Sequence, residues 1–188
     1  MTQCTFLKDR IADFEAARAQ YEELASGLDE SSANRQPRPG KWSVAENLAH
    51  LSLVAAGYFP NLEKAITAGR SRGRTGAAPF TKKSLVGGLL LNMLDPAKNT
   101  KLKAPGAFKA SVPSIDWGQA KDRFESDLDH FIALARDADG LDLDRCRLPT
   151  PLAPWPKMTA AEAFRLHALH IPRHLDQAER AVKATAGA

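Results

Sequence analysis

Ala160-Ala161-Glu162-Ala163-Phe164-Arg165-Leu166-His167-Ala168-Leu169-His170-Ile171-Pro172-Arg173-His174-Leu175-Asp176-Gln177-Ala178-Glu179-Arg180-Ala181 is the stretch on which the reading of this chain turns. At 100° per residue, Ala163, Leu166, His167, His170, His174, Gln177 and Ala181 share one narrow arc, whereas Arg165, Arg173, Asp176, Glu179, Arg180 and Lys183 fall outside it. Three imidazoles therefore face where a core should be. His170 and His174 stand four residues apart, so their rings leave one helix face roughly 5–6 Å apart at Cβ, a spacing that lets two ligands grip one ion. His167 and His170, three residues apart, form a second pair able to chelate. Burying polar rings without partners costs roughly 1–3 kcal/mol each. Three on one inner face thus point to a shared ligand, where a lone buried histidine would read as a satisfied core residue. Pro172 removes the amide that would bond to Ala168, which predicts a local kink beside the histidines.

Upstream, Thr159-Ala160-Ala161-Glu162 has the pattern of a capping box that opens this helix, and Pro149 to Pro156 reads as a loop. Before it, Trp117, Ala120, Phe124, Leu128, Phe131 and Ala135 form the inner stripe of another helix, capped by Ser114 or Asp116 and ending before Gly140. His130 lies on its flank, with a surface or packing role. Residues 69–115 read as a long irregular crossover, loop-like from Gly69 to Gly76 and punctuated by Pro96, Pro105 and Pro113, with a short apolar helix at Leu85–Leu94.

In the first third, Phe6, Leu7, Ile11, Phe14, Tyr21, Leu24 and Leu28 predict a helix over about residues 3–26 that Gly27 can end. Asp29 to Gly40 reads as a loop. Ser43-Val44-Ala45-Glu46 is a second capping box, and Val44, Leu48, Leu51, Ala55, Tyr58 and Leu62 form the stripe of a helix that Ala49, Leu53, Val54 and Ala56 make largely buried. His50 sits about 120° from the centre of that stripe, so the wheel alone does not place it in the core and allows a flank facing a neighbouring helix. Four long amphipathic segments with almost no alternating pattern predict an all-α fold, a four-helix bundle with a long irregular crossover between its second and third helices, in a single domain over residues 1–188.

Composition sets the outer bounds. A chain of 188 residues with 44% hydrophobic and 26% charged residues is ordinary for one globular domain. Cys4 and Cys146 are too few and too far apart for a disulfide framework or a CxxC site, and neither lies in a nucleophile motif. No apolar h-region and no apolar run of membrane-span length occurs, so a cytoplasmic protein without membrane contact is expected. The net charge of +4 is concentrated: Lys64 to Lys109 holds ten Lys or Arg against one acid, Asp95. With only Phe80 and Phe108 as aromatics there, that segment reads as a solvated loop, with an anionic ligand as the alternative, and not as a nucleic-acid module. The Glu-x-x-His spacing of di-iron bundles, HExxH, the Walker loop and GxGxxG are all missing.

Lys41-Trp42-Ser43-Val44-Ala45-Glu46-Asn47-Leu48-Ala49-His50-Leu51, followed by His170-Ile171-Pro172-Arg173-His174-Leu175-Asp176-Gln177, resembles the two motifs of the DinB-like superfamily of bacterial four-helix proteins. The resemblance covers most of the chain. It implies that His50, His170 and His174 bind a divalent metal, zinc or nickel, near one end of the bundle, with His167 a neighbour. Glu46 is most simply the capping acid, though it could reach the site, and Gln177 would fill the bundle end with hydrogen bonds. The resemblance further implies a small-molecule substrate and a metal-dependent enzyme of thiol S-transferase type using a low-molecular-weight thiol. Metal-dependent hydrolysis and non-catalytic metal or ligand binding are the alternatives. If the crossover folds over the metal end, Arg72 and Arg74 would attract carboxylates of such a thiol. Apolar bundle faces leave a homodimer open.

Overall fold

The computed structural model describes residues 4–76, 83–98, 106–108, 114–151 and 153–186. Lys82, Lys101, Lys103 and Lys109 of the basic segment, Phe80, and the breaks assigned to Pro105 and Pro113 lie outside the described residues. What is described is mainly helical: six α-helices and one two-stranded sheet. No helix among these residues is long and apolar enough to cross a membrane.

The four stripes legible in the sequence become the four long helices, α1 (Thr5–Ala25), α3 (Val44–Ser71), α5 (Trp117–Asp137) and α6 (Ala160–Thr185). α3 packs on α5 and α6, and α1 closes the ring by packing on the same two. Aromatic side chains fill the centre: Phe14 of α1 stacks on Phe131 of α5 at 5.1 Å between centroids, and Tyr21 meets Phe124 edge-on at 5.0 Å. Apart from α1, whose start at Cys4 has no side-chain cap, each helix start is fixed by its own side chain. Ser43 with Glu46 and Thr159 with Glu162 form the expected capping boxes, and Asp116, not Ser114, caps α5. Gly27, at φ +80°, turns the chain away after α1 in the left-handed region that favours glycine.

Three expectations are corrected. Within Asp29–Gly40 a short helix, α2 (Glu30–Asn34), replaces part of the loop. The Asp29 carboxylate accepts the Ser32 amide at 2.8 Å and the Ser32 hydroxyl accepts the Asp29 amide at 2.9 Å, and Asn34 and Glu30 bond to the backbone of Ile115 and Trp117, so caps and these ties hold a turn too short for any 3.6-residue stripe. Pro149 to Pro156 is not simply a loop: β1 (Arg147–Thr150) and β2 (Ala153–Thr159) pair antiparallel, Leu148 facing Met158, both fully buried. A lone pair of strands needs few ladder bonds, and prolines are tolerated where no amide is required. Finally α3 runs on through Gly69 to Ser71, past the point where the crossover was expected to begin. A Cβ on Gly69 would lie 2.5 Å from Cys146 Sγ, so glycine serves helix packing there and not chain reversal.

α4 (Leu85–Leu94), capped by Ser84, is the short apolar helix expected in the crossover, and it packs on α6 and β2. α6 continues through Pro172 to Thr185. Leu53, expected to help bury α3, is 42% exposed.

Candidate metal centre

The site forms where α3 and α6 run antiparallel: Asn47 of α3 meets His174, and Tyr58, eleven residues later, meets His167, earlier on α6. His50 therefore faces His170 and His174 across the interface. Its Nε2 lies 3.3 Å from His170 Nε2, and the ring centroids of His50 and His174 are 4.5 Å apart. One ligating atom from each of the three histidines lies within 4.8 Å of the others. Ligand nitrogens about 2.1 Å from a tetrahedral ion sit about 3.4 Å from one another. The His50–His170 pair already has that spacing.

Two of the three rings are held through Nδ1 by a neighbour. His50 Nδ1 is 2.6 Å from the Phe108 carbonyl, which can only accept, so Nδ1 carries the proton and Nε2 keeps its lone pair. His174 Nδ1 is 2.9 Å from Asn47 Oδ1. The Asn47 amide is oriented in turn by donating Nδ2–H to the Ser43 carbonyl at 2.8 Å, so Oδ1 faces the imidazole and His174 also presents an Nε2 lone pair. Such partners fix both tautomer and ring direction, as metal-binding imidazoles require. His170 Nδ1 is buried without a partner. The half-buried indole of Trp42 covers the group, 4.8 Å from the His50 ring and 5.6 Å from that of His174.

Burial sets the protonation. Desolvation lowers the pKa of His50, partly offset by its bond to Phe108, and takes that of His174 down to about 3. Burial, reinforced by His174 and His50, holds His170 well below its ordinary value. All three are neutral at pH 7, the form that donates a lone pair. Three uncharged nitrogens whose lone pairs converge suit a divalent cation, and would leave it at least one open position.

Other candidates fall elsewhere. His167 lies outside the triad, packed on Tyr58 and Phe131 at 4.9 and 4.4 Å and pushed by burial down to about 3. His130 stacks on Phe59 at 4.1 Å and meets Glu63 at 2.8 Å, the flanking role expected of it. Glu46 is engaged by the Ser43 amide at 2.7 Å and by Gln36 at 2.9 Å, as a cap. Gln177 is half-buried. Arg72 ends α3, 22 residues beyond His50, hence about 33 Å along the helix. Arg74 donates to the Arg145 carbonyl nearby. Neither lies over the histidines, which overturns their expected role there. The supports missed by sequence reading are Asn47, Trp42 and the Phe108 carbonyl. Asn47 had a findable signal, since it lies three residues before His50 on the same side of α3.

A helical protein with a three-imidazole cluster between two antiparallel helices is the class these features define. Residues 13–178 match the family model of the DinB superfamily, and the chain belongs to that superfamily. No curated protein and no solved structure matches it.

Proposed function

We propose that His50, His170 and His174 are the ligands of one divalent metal ion, zinc or nickel, and that the protein is a cytoplasmic metal-dependent enzyme of thiol S-transferase type acting on a small molecule. The convergence of the three neutral imidazoles carries this reading. Such an ion would lower the pKa of a thiol or water occupying its open position. The chain's own residues supply the rest: Phe108 and Asn47 hold two rings in the ligating tautomer, and Trp42 shields the group from bulk water. The ring of α1, α3, α5 and α6 reads as a four-helix bundle with residues 72–116 as its crossover, the whole chain acting as one domain.

The experiment is metal analysis of protein purified without a histidine tag, followed by thiol-conjugation and ester-hydrolysis assays before and after chelation. One equivalent of metal with chelator-sensitive thiol conjugation is the expected outcome. Chelator-sensitive ester hydrolysis alone would make it a hydrolase. Metal without either activity would make it a binding protein, and absence of metal affinity would sink the whole reading.

A further inference from the structure

Behind the triad, α5 and α6 enclose polar groups that the proposed metal centre does not use. Asp127 is 5% exposed and His167 1% exposed. Asp127 Oδ1 pairs with Arg123 Nε at 3.3 Å, yet Asp127 Oδ2 and His167 Nε2 are buried with no hydrogen-bond partner. Both residues line one small cavity, about 10 Å³ measured as room for the centre of a water molecule, whose other walls include Leu51, Phe131 and Ile171.

We infer that Asp127 and His167 hold one internal water molecule between α5 and α6. The cavity volume is at the lower limit for one water and excludes anything larger. Buried waters make two to four hydrogen bonds to groups otherwise unsatisfied, and two residues with such groups line this cavity. Leaving two buried polar atoms unpaired costs more than immobilising one water that pairs both. Occupancy therefore wins over an empty cavity. The water donates one hydrogen to Asp127 Oδ2. It either accepts His167 Nε2–H or donates to the Nε2 lone pair, according to the tautomer. Leu51 and Ile171 each adjoin a residue of the triad, so the water ties α5 to the α3–α6 interface one turn from His170.

The test is a crystal structure at a resolution that orders solvent, of both metal-free and metal-treated protein. A peak within about 3.2 Å of both Asp127 Oδ2 and His167 Nε2 is expected in each. An empty cavity, or a collapsed one with Asp127 bonded directly to His167, overturns the inference. In solution, oxygen-17 relaxation dispersion should count one fewer slowly exchanging water in Asp127→Leu than in the natural protein, and an equal count overturns it. Should Asp127→Leu not fold, His167→Phe reads the same loss. Both variants keep the triad, so metal stoichiometry is scored separately and failure of one reading leaves the other standing.

Discussion

His50 Nε2 and His170 Nε2 stand 3.3 Å apart although 120 residues separate them in the chain. Two nitrogens that close must share either a proton or a cation. Replacing His50, His170 or His174 singly with Ala should lower zinc affinity by more than 100-fold, beyond the roughly 10- to 100-fold range for residues that only support a ligand. Titration calorimetry with competing chelator measures it. A His170→Ala variant that binds as tightly as the natural protein would remove His170 from the ligand set.

Asn47 is fully buried and aims its Oδ1 at His174 Nδ1. Asn47→Ala should weaken metal affinity by about 10- to 100-fold while leaving one equivalent bound. Asn47→Asp should weaken it less, because a carboxylate still accepts from the imidazole, although the bond to the Ser43 carbonyl is lost. Equal affinities in all three proteins would show that the His174 ring is oriented by packing alone.

Trp42, at 4.8 Å from His50, is the only one of the three tryptophans placed against the histidines. Metal titration should change the intrinsic fluorescence of the natural protein and of Trp117→Phe. The change should vanish in Trp42→Phe. Its persistence there would mean that the ion binds elsewhere.

Much of this arrangement was legible because helix stripes and capping residues are local. Leu85–Leu94, the Ser43 and Thr159 boxes and the stripe from Trp117 to Ala135 all occur as read. α2 escaped because a five-residue helix held by Asp29 and Ser32 has no period to detect. The Leu148–Met158 pairing escaped because flanking prolines mimic a loop. Within the site, sequence spacing brings His170 and His174 together but left the competing His167–His170 pair open. Only the antiparallel approach of α3 sets them apart in space, placing His50 against His170 and His174 and Tyr58 against His167. The Phe108 carbonyl could not be foreseen, since a backbone acceptor 58 residues away leaves no mark in side-chain pattern.

Neutral buried histidines make the metal-free fold acid-sensitive. His167 and His174 ionise at about 3 when folded against an ordinary value of 6.5, and burial depresses His50 and His170 as well. Below pH 6.5 the unfolded chain takes up protons that the folded chain refuses, so stability falls as pH drops from 6.5 towards 3 and is level above 6.5. Burial raises the pKa of Asp127, which opposes the trend near its own titration but is one group against four. Urea midpoints should drop between pH 7.5 and 5 by more than the equivalent of about 1 kcal/mol, since each proton refused by the folded chain costs about 1.4 kcal/mol for every pH unit below 6.5. A midpoint unchanged over that range would mean that the imidazoles are hydrated.

Glu162 joins two helix starts, which makes Gly87 and Gly88 respond oppositely to the same substitution. The fully buried Glu162 carboxylate accepts the Ser84 amide and hydroxyl, both at 2.6 Å, and the Thr159 amide at 2.8 Å. Inside a helix, Gly→Ala is ordinarily worth up to about 1 kcal/mol of stability. At Gly88 a new Cβ would meet only Lys83 Cβ at 3.6 Å, ordinary contact, so Gly88→Ala should stabilise by a few tenths to about 1 kcal/mol. At Gly87 it would lie 2.2 Å from the Glu162 carboxyl carbon, which three hydrogen bonds hold in place. Overpacking costs about 1–3 kcal/mol and exceeds the propensity gain, so Gly87→Ala should destabilise. Glu162→Gln should lose about 1–3 kcal/mol through an amide that cannot accept all three donors. Hydrogen exchange should report the damage in both variants as faster exchange in α4. Stabilisation by Gly87→Ala equal to that by Gly88→Ala would mean that the carboxylate moves freely and does not anchor α4 to α6.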